Sequence, residues 1–441
     1  MCYTNSNECV YSFVERQKYM NPVLEKELAP GVRLRGFADT RFKTMRISVH
    51  MIVPLQAETA AVYALLPAVM SRVCRAYPDY TLMSRYLCDL YGASLTTGVR
   101  RMGDCQVLSL NASSIADRYA LDGQAISRQL AELLASILFE PYFEASGTFP
   151  QDSILKEKRQ LLEILASEYN DKQLYARRRC ETALFAGEPA GIGRCGSPEE
   201  IEKIDGEALL KAWKTLLETA VFEIFVLGDC DPEKIAPLFA QPFSAVRRPC
   251  RLVTSVAPVR PQVQQIEETL PVEQSKLVMG LRLAQPMEQF DAMRLMIALF
   301  GGTPSSKLFI NVREKQSLCY YCAARGDLLK GALFVESGID AAQCSAVEEA
   351  VMQQLKAVQD GDFTDDEWQK ARLALANSCR TVNDYLGATE NWNLSQILFD
   401  TIRTPEADIE ALMAVTPEQI VRAAQSAALD TVYVLKGREG Q

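Results

Sequence analysis

The side chains with the types and spacing to do chemistry crowd between residues 301 and 322. Gly301-Gly302 is followed by Ser305-Ser306-Lys307. Arg313 then stands seven residues before Tyr320, which has Tyr321 beside it and Cys319-x-x-Cys322 around both. Two cysteines at that spacing are what a redox or metal site uses. In a strand, however, residues three apart point to opposite faces, so a single site does not readily use both. Ser305 and Ser306 are nucleophile types, but a serine needs an adjacent base. The one histidine in the chain, His50, lies in the other half. Cys74 and Cys88 are near each other without any Cys-x-x-Cys or His/carboxylate cluster to complete a ligand set.

These residues need a particular run of elements to hold them. An apolar helical run over residues 295–300 stops at Gly301-Gly302, where the backbone is expected to take φ > 0 and turn. Pro304 and the serines restart the chain. Residues 307–314 form a short amphipathic helix with Leu308, Phe309 and Val312 on one face. Residues 319–325 and 331–338 are spaced as a hairpin, so Arg313 and Tyr320 straddle a helix-to-strand step.

The same order occurs earlier in the chain. After a polar lead with helical character over 10–27, strands are expected at 32–37 and 46–53, and apolar helices at 60–75 and 81–91, the latter capped by Gly92. A hairpin (94–101, 106–112) and long helices (122–139, 153–169, 174–185) come next. Short helices over 198–217 and an apolar strand at 220–228 close the half. In the second half, 275–283 matches the first long strand, 319–338 the hairpin and 431–437 the closing strand. A repeat of this length means two homologous domains rather than a solenoid. The proline-rich stretch before residue 272 reads as the connection. The expected division is a first domain at 1–245, a linker at 246–272 and a second domain at 273–441. Hairpins mixed with helices make each half α+β.

Composition narrows the function classes. The chain is 48% hydrophobic and 23% charged, ordinary for a globular protein. Its net charge of −9 argues against nonspecific nucleic-acid or anionic-membrane binding, which needs a basic face. No apolar run reaches the ~18–20 residues of a membrane span. The polar N-terminus has no signal-peptide pattern. Thirteen cysteines, odd in number and scattered through apolar patterns, indicate a reduced, cytoplasmic compartment.

The pattern Gly-Gly, Ser-Lys-Leu-Phe, Arg-Glu-Lys and then Tyr, at residues 301–320, resembles the second half of the M16 (insulinase/pitrilysin) metallopeptidase family. The likeness extends over roughly residues 30–440. It implies two M16-type domains forming a half-shell, each a mainly antiparallel sheet packed with helices. M16 peptidases hold zinc through His-x-x-Glu-His on the apolar helix of the first domain, with a further Glu downstream. Here that helix reads Tyr63-Ala64-Leu65-Leu66-Pro67-Ala68-Val69-Met70, without histidine or acid. The downstream ligand position falls at Ile164, or at Glu163 with a one-residue shift. One histidine cannot make a two-histidine site, so the resemblance implies no metal in this chain and no metallopeptidase activity from it alone.

The family's other half-site is retained. By resemblance, Arg313 and Tyr320 (Tyr321 if the register slips) reach the peptide at a zinc site and stabilise its oxyanion. Gly301, Gly302, Ser306 and Lys307 form the substrate-binding loop. Two-domain members of the family work in pairs, so the implied partner is a subunit bearing His-x-x-Glu-His, with zinc held there. The ligands are a peptide substrate and that partner, or a second copy of this chain when it is absent. The chain also resembles the zinc-less member of a bacterial M16 gene pair associated with aminopentanol modification of elongation factor P, through the Leu-Leu-Pro helix and Leu90-Tyr91-Gly92-Ala93. The alternative is a scaffold subunit of the respiratory core-protein type, with no part in proteolysis.

Overall fold

The computed structural model describes residues 24–243, 252–284, 287–399 and 402–437. The first half builds a six-stranded sheet from β1 (Leu24–Ala29), β2 (Val32–Ala38), β3 (Thr44–Pro54), β4 (Ser94–Met102), β5 (Cys105–Ile115) and β6 (Val221–Gly228), in the order β1-β2-β6-β3-β5-β4. The second half builds a five-stranded sheet from β7 (Gln264–Thr269), β8 (Ser275–Leu283), β9 (Tyr321–Asp327), β10 (Ala332–Ile339) and β11 (Ala427–Lys436), in the order β7-β11-β8-β10-β9. In both, the closing strand runs parallel to an early strand of its half (β6 with β2, β11 with β7) and every other pairing is antiparallel. The two halves therefore share a wiring, and the fold is two-domain α+β.

Three expectations differ from what is seen. Of the helical lead over 10–27, residues 10–23 lie outside the described residues, and from Leu24 the chain is strand. Residues 264–269, assigned to the linker from its prolines, form β7, which has no proline and takes its hydrogen bonds from β11 alone. The hairpin strand expected from 319 begins only at Tyr321.

The central strands are apolar on both faces because each half lends a helix to the other. On β6, Ile224 and Val226 join the core beneath the first half's own helices, while Phe225 and Leu227 point the other way. There they meet Leu386 and Leu394 of the helix Leu386–Ser395, from the second half. Reciprocally, Ala176, Cys180 and Leu184 of the helix Lys172–Leu184 pack on Val278, Phe334 and Tyr433 of the second sheet. Alternating residues along a strand thus enter two different cores.

Buried charge joins the halves as well. Lys330 is fully buried, its Nζ 2.8 Å from Asp104 Oδ1 and 2.9 Å from Glu188 Oε2. Arg282 reaches Glu188 at 2.5 Å, and Arg177 reaches Glu336 at 3.2 Å. Removing one partner of such a group strands the rest in a medium that solvates them poorly. Lys330→Met is expected to lower unfolding stability by about 3–5 kcal/mol in urea denaturation; a loss under about 1 kcal/mol would show that water reaches these carboxylates.

Candidate functional site

The loop is built from its own packing. The helix Phe290–Ile297 runs on as a π-helical turn, Ala298–Gly302, and ends at extended Thr303. Neither Gly301 nor Gly302 has positive φ, contrary to the sequence reading. Gly301 is needed for space instead: a Cβ there would lie 2.6 Å from both Ala324 Cβ and Leu308 Cδ1, against β9. Gly302 is exposed. Ser306 is buried, and its hydroxyl accepts from the Phe309 amide at 3.4 Å, opening the next helical turn. Lys307 is buried too, its Nζ 3.4 Å from Glu367. Of the four residues expected to line a peptide, three turn inward here, and Gly302 faces solvent.

The π-helical segment Leu308–Lys315 buries Leu308 and Val312 and carries Arg313 on its outer side. It stops at Ser317, whose φ of +52° is left-handed, a conformation that a residue with a Cβ seldom takes. The Ser317 and Leu318 amides donate to Arg313 O and Val312 O, closing the helix end. The Tyr320 amide then donates to Gly338 O at 2.9 Å and begins the pairing with β10.

This brings Arg313 and Tyr320 together. The Arg313 Nε donates to the Tyr320 carbonyl at 2.9 Å, and its guanidinium stacks over Phe309 at 4.6 Å, with Glu314 3.2 Å away. The Tyr320 side chain is 60% exposed, its hydroxyl 3.4 Å from Asp340. Tyr321 is half-buried with its ring over Gly338, and burial pushes its phenol well up. Tyr320 is thus the tyrosine offered to solvent, its backbone carbonyl held by the partly exposed Arg313 guanidinium, just before the edge strand of its sheet. Donors in this arrangement suit a developing oxyanion or a peptide carbonyl.

Cys322 lies on β9 opposite Ser337, in the second core, with Cys319 packed at the rim of that core. Cys319 precedes β9, so strand alternation does not govern it. The neighbouring Cys322 and Ser337 and the Arg313 charge hold the Cys319 thiol down at about 7, against the effect of burial. The spacing was visible in sequence, but the start of β9 at Tyr321 was not.

The residues present do not fit a zinc ion. On the helix Ala57–Arg72 the family's ligand positions hold buried aliphatic side chains and Pro67. The polar groups beside it are already engaged: Arg72 reaches Glu157 at 2.8 Å and stacks over Tyr80 at 4.5 Å. Glu163 is exposed and lies 3.9 Å from Arg159, and Ile164 is exposed. Among the described residues no cluster of three or more His, Cys, Asp or Glu is placed to hold a metal. None of their helices is long and apolar enough to cross a membrane.

His50 is a buried strand residue at the junction of the halves. Its Nδ1 is 2.8 Å from Ser109 Oγ and its Nε2 2.5 Å from Glu390 of the other half, whose carboxylate Arg46 also holds. A short way along, the two edge strands meet through Arg101 and Asp327 at 2.9 Å. A cleft of 510 Å³ opens there, with Arg100, Arg294, Phe290 and Trp392 in its walls. Nothing in the sequence pattern pointed to it.

Residues 203–375 match the family model described as Peptidase M16 inactive domain, a stretch that crosses from the first half into the second. Over 408 residues the chain is 28% identical to the Bacillus subtilis protein named "Probable inactive metalloprotease YmfF", covering 91% of this chain and 94% of that one. Among solved structures, a conserved protein from Enterococcus faecalis superposes with a TM-score of 0.86 at 27% identity, over 95% of this chain and 99% of that one. A structure described as peptidase M16 inactive domain from Pseudomonas fluorescens superposes at 0.73 with 19% identity, over 94% and 98%, which shows a shared fold. The chain thus contains a segment that matches the model described as Peptidase M16 inactive domain, and along most of its length it is similar to a probable inactive metalloprotease.

Burial holds the His50 imidazole below its ordinary pKa; the bond to Glu390 opposes this, and Arg100 and Arg46 reinforce it. The unfolded chain therefore takes up this proton first as pH falls below about 6.5, so the stability contributed is present above that pH and is lost below it. Urea midpoints of the wild type are expected to fall more steeply than those of His50→Gln between about pH 6.5 and pH 5. Parallel slopes would show that the imidazole titrates as it does in the unfolded chain.

Proposed function

We propose that this chain is the non-catalytic member of a heterodimeric M16 peptidase, paired with a subunit that bears His-x-x-Glu-His and its zinc. The supporting observation is one contrast. The helix where the family binds metal has no ligand, while Arg313 and Tyr320 stand side by side and exposed at the edge of the second sheet. In this reading the two half-shells enclose an extended peptide. The Tyr320 hydroxyl and the Arg313 guanidinium donate to the scissile carbonyl oxygen as it gains charge, or to a neighbouring backbone carbonyl. Gly302 borders the peptide, while Gly301, Ser306 and Lys307 set the shape of the loop behind it. Because Arg313 also grips the Tyr320 carbonyl, the two act as one unit.

The metal-free half of this reading follows from side-chain chemistry. The partner, the peptide and a cytoplasmic setting follow from the resemblance, as does a connection to aminopentanol modification of elongation factor P in bacteria. When no partner is present, the chain is expected to pair with itself.

The test is kinetic. In the mixture with a His-x-x-Glu-His subunit, Arg313→Ala and Tyr320→Phe are each expected to lower peptide turnover by about 10²–10³, the usual worth of an oxyanion donor. Assembly, read by gel filtration, is expected to stay unchanged. Variants that assemble and cleave like the wild type would remove both residues from the mechanism and leave a scaffold.

A further inference from the structure

We infer that the junction of the halves holds a site for a small multivalent oxyanion, the phosphate or carboxylate group of a soluble metabolite. The site lies between the helix Lys172–Leu184 and the loop at residues 190–194. A cavity of 340 Å³ opens there, and it shares Arg101 and Arg177 with the 510 Å³ cleft between the edge strands. Four arginines line it: Arg101, Arg177, Arg178 and Arg194. Among the described residues Glu181 is the one acid in its walls. Such a wall runs against the charge of a chain whose net value is −9. The volume is that of a small-molecule pocket.

The protein's own carboxylates leave these donors incompletely matched. Arg178 and Arg194 converge on one acid, Glu168: Arg178 approaches to 3.2 Å, and Arg194 spans both carboxylate oxygens. The Arg178 Nε is buried and has no hydrogen-bond partner. Burial lowers the pKa of this guanidinium, and the neighbouring Arg194 charge lowers it further. A buried donor without an acceptor is costly, and an oxyanion offers several acceptor atoms in the geometry a guanidinium fork matches. The other two arginines are tied across the junction. Arg101 reaches Asp327 at 2.9 Å, and Arg177 reaches Glu336 at 3.2 Å as well as Glu181 at 2.9 Å. An anion here therefore touches the side chains that join the halves.

The loop that completes the cavity is fixed by its own packing. Gly191 has no room for a side chain, since a Cβ there would lie 2.4 Å from the Phe185 carbonyl oxygen. The Gly191 and Ile192 amides donate to Glu188 O and Pro189 O, each at 3.0 Å. The Gln106 amide group donates to the Arg194 carbonyl at 2.6 Å. A wall held in this way needs little reordering to receive a ligand. Thr182 and Gly193, also in the lining, are exposed and give the cavity its opening to solvent. Such a site would serve with or without a zinc-bearing partner.

The test is isothermal titration calorimetry of the full-length chain with inorganic pyrophosphate and, separately, with citrate, at constant ionic strength. Saturable binding of at least one anion is expected, with Kd below about 1 mM. The tighter of the two tells whether phosphate or carboxylate is the preferred group. Arg178→Gln is expected to weaken that binding about tenfold or more. Because this change also touches Glu168, a second pair of variants leaves the ion pairs in place. Thr182→Glu sets a carboxylate on the exposed rim, one helical turn from Arg178, and is expected to weaken binding about tenfold. Thr182→Gln, similar in shape and uncharged, is expected to bind like the wild type. The absence of saturable heat with either anion up to about 10 mM would overturn the inference. So would equal affinity in Thr182→Glu and Thr182→Gln, which would put the anion elsewhere.

Discussion

Lys330 has no contact with solvent, and both carboxylates that neutralise it come from the other half of the chain. An isolated ammonium could not be buried there, because the loss of hydration has to be offset at close range. The condition is met only when the loop before β10 sits against Asp104, at the start of β5, and against Glu188, beyond the helix Lys172–Leu184. The same docking lays that helix on the second sheet and the helix Leu386–Ser395 on the first. Either sheet without its borrowed helix would expose a face of Val, Phe and Leu to water, at a cost of about 1.5–3 kcal/mol for each large side chain. The halves are therefore one cooperative body, despite their repeated wiring.

That body leaves β9 as a free edge with its start presented outward. Arg313 and Tyr320 stand where the edge begins, fixed by a guanidinium-to-carbonyl bond and by the first pairing of β9 with β10. The opposite end of the same strand meets β4, the edge of the other sheet, through Asp327 and Arg101. An extended peptide lying along such an edge would gain main-chain hydrogen bonds without much regard to its sequence. In the first half, the described residues do not fit a zinc ion. Where ligands would project, its apolar helix is filled with Ala, Leu and Pro and packed on all sides.

Much of the fold was legible because helices and strands here keep clean periods. The repeat could be read from the order of long strand, apolar helix and hairpin, and Gly92 marked a helix end that the structure shows with φ of +69°. Other features depended on tertiary context. β7 is short, polar and preceded by prolines, and it is a strand only because β11 offers an edge. The helix Pro232–Phe243 contains Pro237 and Pro242, which hide it from any propensity argument. At the site, the spacing that brings Arg313 next to Tyr320 was legible in sequence. Gly301 illustrates a subtler limit: glycine was expected there for its conformational freedom, and the structure uses it for the close approach of Ala324 and Leu308.

The central claim is that this chain supplies one side of an active site whose metal lies in another subunit. The most direct measurement is zinc-dependent peptide cleavage by this chain alone, by a purified His-x-x-Glu-His subunit alone, and by the two mixed. The account predicts cleavage that appears on mixing and is abolished by chelation, with no zinc and no cleavage in this chain by itself. Zinc retained by this chain together with cleavage in its isolated state would contradict the account, as would a partner that cleaves equally well without it.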